Sequence, residues 1–288
     1  MGPGAIRAHG SIGRHQYDAA LMAARTRSVT APDGTVVGWH EAGRGDALLL
    51  VHAAAADARQ WERLLPFLTD AFTVMALDRR GRGASGPLRP DHSLDAEAGD
   101  LAAVATGTDG PVHLFGHSSG ARLALHAAPR IPNLASLMLY EPPAPEALSD
   151  AALHRLAQLE AAGDRDGILH AFFVDIVGND EASFRALKER PVWPLMLDNA
   201  LTVPTELRAV QGYRFDRARL ATVPVPALLL LGGASGPELR HVVDELADAL
   251  PDARFVTLPG QGHGAMFSAP ELLASEIRRF VDTISRPR

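Results

Sequence analysis

The sequence contains no cysteine among its 288 residues. Disulfide bonds, thiolate metal sites and a cysteine nucleophile are therefore excluded. Apolar runs long enough to span a membrane are also absent, and the short apolar patch at residues 19–24 is too brief for the core of a signal peptide. We predict a soluble, cytoplasmic protein whose first 25 residues form a loose or briefly helical leader.

An excess of positive charge is absent too, since the formal net charge is −6. A protein with this net charge is not expected to bind nucleic acid through a positively charged surface. The one basic cluster, residues 78–82, is predicted to be a solvated loop. Residues 81–86 match the Gly-x-Gly-x-x-Gly pattern of dinucleotide-binding loops, but Pro87 and Pro90 follow where a helix would have to begin. With no His-Glu-x-x-His pattern either, the sequence predicts no cofactor and no metal site.

Short β-prone apolar runs alternate with stretches of helical spacing along most of the chain. Runs that are apolar on both faces and alternate with helices predict a mostly parallel sheet covered by helices on both sides. The predicted strands are residues 36–40, 47–52, 72–78, 112–116, 135–141, 227–232 and 254–258. The predicted helices are residues 60–68, 94–105, 121–128, 238–250 and 270–283.

The alternation breaks between Glu141 and Pro226, where no convincing strand is present. A connection of that length needs structure of its own, and its spacing is helical. We predict an α/β core formed by residues 26–144 and 223–288, into which residues 145–222 are inserted as a helical lid. The sequence leaves open whether this region gates the access of a small-molecule substrate or forms the contact of a homodimer.

Residues 116–120 read GHSSG and lie between a predicted strand and a predicted helix. A Gly-x-Ser-x-Gly pattern at such a turn exposes the serine hydroxyl at the edge of the sheet, and the glycines leave room for the crowded backbone. Ser118 is therefore the candidate nucleophile, and the backbone N–H of Ser119 is a candidate oxyanion donor. Among the twelve histidines, His263 in the glycine-rich turn LPGQGHGAM fits the general base best.

These motifs resemble those of the serine hydrolases of the α/β-hydrolase fold. The resemblance covers the chain from near residue 26 to its end, and includes the strand ending in LLLVH, the turn ALDRRGRGASG and the position of the lid. It implies acyl-transfer chemistry on an ester, a thioester, a lactone, an activated amide or the C–C bond of a diketone.

The loop after LLLVH departs from the pattern of that family. The family usually has His-Gly at this point, whereas this sequence has His52 followed by Ala53. The resemblance assigns the second oxyanion donor to the backbone N–H of Ala54. A methyl group at residue 53 would strain any backbone with positive φ, and His52 is expected to order the loop rather than to transfer protons.

A second departure concerns the acid of the catalytic triad. The family most often carries it after the strand that here ends LLLLGGASGPE, where Ala234 and Ser235 stand. Loss of the orienting acid in a comparable triad lowers turnover by about four orders of magnitude. Some members carry the acid one strand earlier, where this sequence has Glu141. Glu141 is the preferred candidate, followed by Glu238 and then Asp57.

The preferred hypothesis is a serine hydrolase acting on a small or medium apolar acyl substrate. Three aromatic residues of the predicted lid, Phe172, Phe173 and Trp193, either line the pocket or simply pack the lid. The alternative keeps the fold but performs a non-hydrolytic step such as cyclisation or elimination, or only binds a ligand. Ala234 and the alanine-rich loop at residues 52–56 motivate the alternative, whereas the presence of both Ser118 and His263 favours hydrolysis.

Overall fold

Eight strands form one sheet in the computed structural model, which describes residues 21, 23–89, 91–145 and 148–285. The strands are β1 (Arg25–Thr30), β2 (Val36–Gly43), β3 (Asp46–Val51), β4 (Phe72–Leu77), β5 (Val112–His117), β6 (Leu134–Tyr140), β7 (Ala227–Gly232) and β8 (Ala253–Leu258). Their order in the sheet is β1-β2-β4-β3-β5-β6-β7-β8, in which β1 pairs antiparallel with β2 and β2 antiparallel with β4. Every pair from β4 to β8 is parallel, so the predicted mostly parallel sheet is confirmed.

Alternate residues of the central strands build two separate apolar clusters, one on each face of the sheet. In β3, Leu49 and Val51 belong to one cluster, and Leu48 and Leu50 belong to the other. Helices α1 (Leu94–Thr106), α2 (Ser119–Ala127) and α9 (Pro237–Ala249) cover the first cluster, and α11 (Pro270–Ser285) covers the second. The apolar runs of the sequence therefore reflect strands that are buried on both faces.

Residues 148–222, here called the insertion, connect β6 to β7 through short helices. These are α3 (Asp150–Ala162), α4 (Arg165–His170), α5 (Glu181–Lys188), α6 (Trp193–Asn199), α7 (Val203–Ala209) and α8 (Arg217–Leu220), with a π-helical segment at Ala171–Ile176; the short helix α10 (Ala265–Ser268) lies beyond the insertion. The insertion has its own apolar cluster, in which the ring of Trp193 lies 5.7 Å from that of Phe184. Phe172 and Phe173 contact each other at 4.9 Å and pack against the same cluster. The boundaries 145–222 and the role of a lid stay predictions.

Two local elements differ from the sequence prediction. Strand β1 was not expected, because its sequence RTRSVT is polar and the strand lies exposed at the edge of the sheet. The predicted helix at residues 60–68 consists instead of two 3₁₀ turns, Ala58–Trp61 and Leu65–Phe67. Pro66 has no N–H to donate, so a continuous α-helix through this segment would lose a hydrogen bond. Of the predicted leader, residues 1–20 and 22 lie outside the described residues.

The prediction of a solvated loop at residues 78–82 is wrong, because its charged side chains are buried. Each guanidinium group is paired with a carboxylate from a distant part of the chain. The buried pairs are Arg79–Glu97, Arg80–Asp100 and Arg82–Glu206. The arginines are close together in the sequence, but their carboxylate partners lie in α1 and α7. The sequence of residues 78–82 alone therefore does not indicate that these side chains are buried.

Glu206 ties the insertion to the core through this cluster. Its carboxylate on α7 lies 2.9 Å from Nη1 of Arg79 and also pairs with Arg82. Burial and the neighbouring charge of Arg79 lower the pKa of Arg82 to about 9. Two buried cations on the core therefore face one buried anion supplied by the insertion.

Replacing Glu206 by glutamine should destabilise the fold strongly. The change leaves a buried guanidinium group without its counter-charge, for which a loss of about 3–5 kcal/mol in the free energy of unfolding is typical. Glu160→Gln provides a matched control in the insertion, because Glu160 pairs with the half-exposed Arg208 and should contribute less than about 1 kcal/mol. Urea unfolding of both variants measures the difference, and equal losses would contradict the role given to Glu206.

Candidate active site

The turn between β5 and α2 carries Ser118 in a strained backbone conformation, with φ 54° and ψ −122°. The serine N–H still donates to the carbonyl of Tyr140 at 2.9 Å, so the pairing with β6 continues up to the turn itself. A Cβ atom at Gly116 would lie 2.4 Å from the carbonyl oxygen of Gly120, and one at Gly120 would lie 2.3 Å from that of Val51. Both glycines of GHSSG are therefore required by close backbone approach.

The structure brings Glu141 and His263 together. Oε2 of Glu141 lies 2.5 Å from Nδ1 of His263, and the carboxylate is fully buried. The other oxygen, Oε1, accepts the N–H of Gly232 at 2.6 Å and the hydroxyl of Ser235 at 2.5 Å. Ser235 is one of the two residues that stand where the resemblance places the acid. Here its side chain supports the carboxylate that comes from the neighbouring strand.

The two other candidate acids lie elsewhere. Glu238 is exposed at the start of α9. The carboxylate of Asp57 forms a salt bridge with Arg59 at 2.7 Å and accepts a hydrogen bond from the side-chain amide of Asn199 at 2.9 Å. Among the three candidates, Glu141 is the one whose carboxylate hydrogen-bonds to His263.

The residues that precede Ser118 and Glu141 hold the loop of the histidine by its backbone. Nε2 of His117 donates to the carbonyl of His263 at 2.8 Å, and the two rings lie 4.5 Å apart. The hydroxyl of Tyr140 donates to the carbonyl of Gly262. These contacts place the loop of His263 beside the turn that carries Ser118. The sequence analysis missed both residues, and their only signal is that each directly precedes a candidate catalytic residue.

Two backbone N–H groups are predicted as oxyanion donors, those of Ser119 and Ala54, and neither has a hydrogen-bond partner among the described residues. The N–H of Ser119 opens α2, and the first turn of a helix provides no carbonyl partner for it. In the described part of the chain, no group accepts a hydrogen bond from the N–H of Ala54. The sequence points to residue 53 as the place of backbone strain, but the positive φ, 51°, belongs to the buried Ala55.

His52 has the contacts of a structural residue. Its Nδ1 donates to the carbonyl of Ala53 at 2.8 Å, and its Nε2 accepts the N–H of Arg79 at 3.1 Å. The ring is fully buried. Burial lowers the pKa of the imidazole well below its usual range, and the charges of Arg82 and Arg79 lower it further. This neutral ring links the loop after β3 to the loop after β4.

Within the described ranges, no group of three or more histidine, aspartate and glutamate side chains is arranged to hold a metal ion. Nor does any helix in that part of the chain combine the length and the apolar character needed to cross a lipid bilayer.

Comparison with known proteins identifies the family. Residues 48–276 match the sequence model of the alpha/beta hydrolase family. The chain belongs to the alpha/beta hydrolase family. The similar proteins below include enzymes named as an esterase and a deformylase, and the chain is an enzyme of the hydrolase class.

Among curated proteins, N-formylmaleamate deformylase of Pseudomonas putida is 32% identical over 230 residues, which cover 77% of this chain and 83% of that enzyme. Pimeloyl-[acyl-carrier protein] methyl ester esterase of Stenotrophomonas maltophilia is 27% identical over 259 residues, or 84% of this chain and 95% of that enzyme. The crystal structure of an alpha/beta hydrolase from Sphaerobacter thermophilus superposes with a TM-score of 0.81 at 32% identity, covering 88% of this chain and 100% of that one.

Protonation of the buried His52 should make this hydrolase less stable in acid. An unfolded imidazole takes up a proton near pH 6.5, whereas the pKa of the folded His52 is lower. The stability that this difference contributes is complete above about pH 6.5 and is lost as the pH falls.

The His52→Gln variant should therefore lose stability less steeply below pH 6.5, by up to about 1.4 kcal/mol per pH unit. Urea unfolding of the two proteins between pH 8 and pH 5 measures the slopes. Parallel slopes would show that the folded ring takes up its proton as readily as the unfolded one.

Proposed function

We propose that the protein is a serine hydrolase in which Ser118, His263 and Glu141 act as the catalytic triad. The contact of Glu141 with Nδ1 of His263 is the observation that supports this most. A carboxylate accepts hydrogen bonds but has no proton to donate, so the proton of the neutral imidazole lies on Nδ1. Nε2 is then the free acceptor, as a general base requires.

The reaction begins when Oγ of Ser118 attacks the carbonyl carbon of the substrate and its proton passes to Nε2 of His263. The carboxylate of Glu141 stabilises the imidazolium that forms. The oxyanion of the tetrahedral intermediate accepts hydrogen bonds from the N–H groups of Ala54 and Ser119.

Collapse of that intermediate gives the acyl-enzyme. His263 donates its proton to the leaving group, whose bond to the carbonyl carbon breaks. A water molecule then attacks the ester of Ser118 and gives a proton to His263. The second tetrahedral intermediate releases the carboxylic acid and returns the proton to Oγ of Ser118.

The proposed substrates are small or medium apolar acyl compounds. The names of the two similar enzymes refer to a formyl group and to a methyl ester, and one Ser-His-acid triad serves both kinds of bond. The apolar side chains of the insertion, with Trp193 in its buried cluster and Phe172 packed against that cluster, support an apolar preference. The non-hydrolytic alternative was motivated by the missing acid at Ala234, and with Glu141 against His263 no observation favours it.

A fluorophosphonate probe should label the protein at Ser118. Such probes phosphonylate a serine hydroxyl only when a base has activated it. Digestion and mass spectrometry locate the adduct, and the Ser118→Ala variant should remain unlabelled. A folded wild-type protein that stays unlabelled would contradict the proposal.

Glu141→Gln should lower kcat by about four orders of magnitude, because the amide no longer fixes the imidazole in the required tautomer. Hydrolysis of p-nitrophenyl acetate by protein with an unchanged circular dichroism spectrum provides the measurement. Glu238→Gln makes the same chemical change at an exposed acid and should keep the wild-type rate. An active Glu141→Gln variant, or an equal loss in both variants, would assign the acid elsewhere.

A further inference from the structure

One continuous set of hydrogen bonds joins the three loops that carry the proposed catalytic groups. Nε2 of His117 meets the carbonyl of His263 at 2.8 Å, and its Nδ1 meets Nε2 of Gln60 at 3.3 Å. Oε1 of Gln60 accepts the N–H of Ala53 at 3.2 Å. His117 and Gln60 are both buried. The set therefore runs from the loop of Ala54, past the turn of Ser118, to the loop of the histidine.

The direction of every hydrogen bond in this set is determined. A carbonyl oxygen can only accept, so Nε2 of His117 carries the proton, and Nδ1 of the neutral ring must accept. The side chain of Gln60 then presents its NH₂ group to His117 and its oxygen to the N–H of Ala53. Burial lowers the pKa of His117 well below its usual range, which keeps the ring neutral, and the pKa is lowered further when His263 is protonated.

We propose that His117 and Gln60 are positioning residues, which hold the backbone of His263 so that its ring stays aligned between Glu141 and Ser118. The inference rests on the triad of the proposed function and extends it to two residues that do not touch the reacting atoms. Neither residue exchanges a proton with the substrate.

The surroundings of His263 explain why such support is needed. Its side chain is 47% exposed, and Glu141 is the one described residue that hydrogen-bonds to the ring. Glycines flank it on both sides at positions 262 and 264, and glycine gives a backbone unusual freedom. A hydrogen bond to the carbonyl of His263 itself fixes the peptide from which the ring extends. A small displacement of a general base is enough to reduce turnover strongly.

Two substitutions of His117 separate the donor from the bulk of the side chain. In His117→Gln, Nε2 of glutamine follows Cβ by the same number of bonds as Nε2 of histidine, so the donor to the carbonyl of His263 is retained. In His117→Asn, the amide ends one bond earlier and that donor is lost. His113→Asn provides the matched control. His113 lies on the same face of β5 as His117, but its ring hydrogen-bonds to the hydroxyl of Ser136 at 2.8 Å instead of to the loop of His263.

The concentration of active sites in each variant is first determined by fluorophosphonate labelling of a separate sample. The kcat and KM for p-nitrophenyl acetate are then measured on unlabelled protein, and kcat is expressed per site that the probe can label. His117→Asn should lower kcat by about tenfold to a hundredfold with little change in KM, since the loss acts on the transition state. His117→Gln should recover most of that loss. His113→Asn should lower stability but leave kcat per labelled site unchanged.

Wild-type kcat per labelled site in His117→Asn would overturn the inference, as would equal losses in His117→Asn and folded His117→Gln. Such results leave the proposed function standing, because wild-type labelling at Ser118 and an inactive Ser118→Ala variant test that function separately.

Gln60→Met tests the second positioning residue. Its effect on kcat should be less than additive with that of His117→Asn, because both belong to one network, and full additivity would contradict the connection through Gln60.

Discussion

The hydrogen bond between Glu141 and His263 is the contact on which the proposed chemistry depends. It joins the end of β6 to the loop after β8, two elements separated by β7 in the sheet. Glu141 reaches this position because its backbone adopts a positive φ of 48° directly after the strand. Gly232 and Ser235, after β7, occupy the other carboxylate oxygen and so orient the first towards His263.

Two neighbouring parallel strands end in the same way. His117 and Tyr140 are register partners in β5 and β6, and the residue after each of them, Ser118 and Glu141, has a positive φ. The side chains of His117 and Tyr140 hydrogen-bond to the backbone of the loop that carries His263. The residues that follow them are the proposed nucleophile and the proposed acid. Because the carboxyl ends of parallel strands share one edge of the sheet, Ser118 and Glu141 are brought to the same edge.

The sequence predicted the parts of the molecule whose signals are local. The strand-turn-helix context of GHSSG predicts Ser118 as the nucleophile, and the glycine-rich turn predicts His263 as the base. For the acid of the triad, the sequence offers three candidates with Glu141 preferred, and of these Glu141 is the one that contacts His263. The polar edge strand β1 has no apolar pattern from which it could be predicted.

Features that depend on distant partners were missed. The cluster at residues 78–82 was expected to be solvated, because a sequence window cannot show that Glu97 and Glu206 meet its arginines in the core. The same is true of Gln60, because its proposed positioning role depends on a hydrogen bond to His117, a residue far along the chain. Buried charges and buried amides must find partners when a chain folds, but the sequence does not say which.

Proton NMR of the Nδ1–H group of His263 tests the central claim most directly. Protein labelled with ¹⁵N-histidine should give a strongly downfield Nδ1–H resonance, because a short hydrogen bond to a buried carboxylate deshields the proton. The resonance should be absent in His263→Gln, which assigns it. It should also be lost or shifted far upfield in Glu141→Gln and stay unchanged in Glu238→Gln. A resonance that survives unchanged in Glu141→Gln would contradict the account, because another group would then be orienting the histidine.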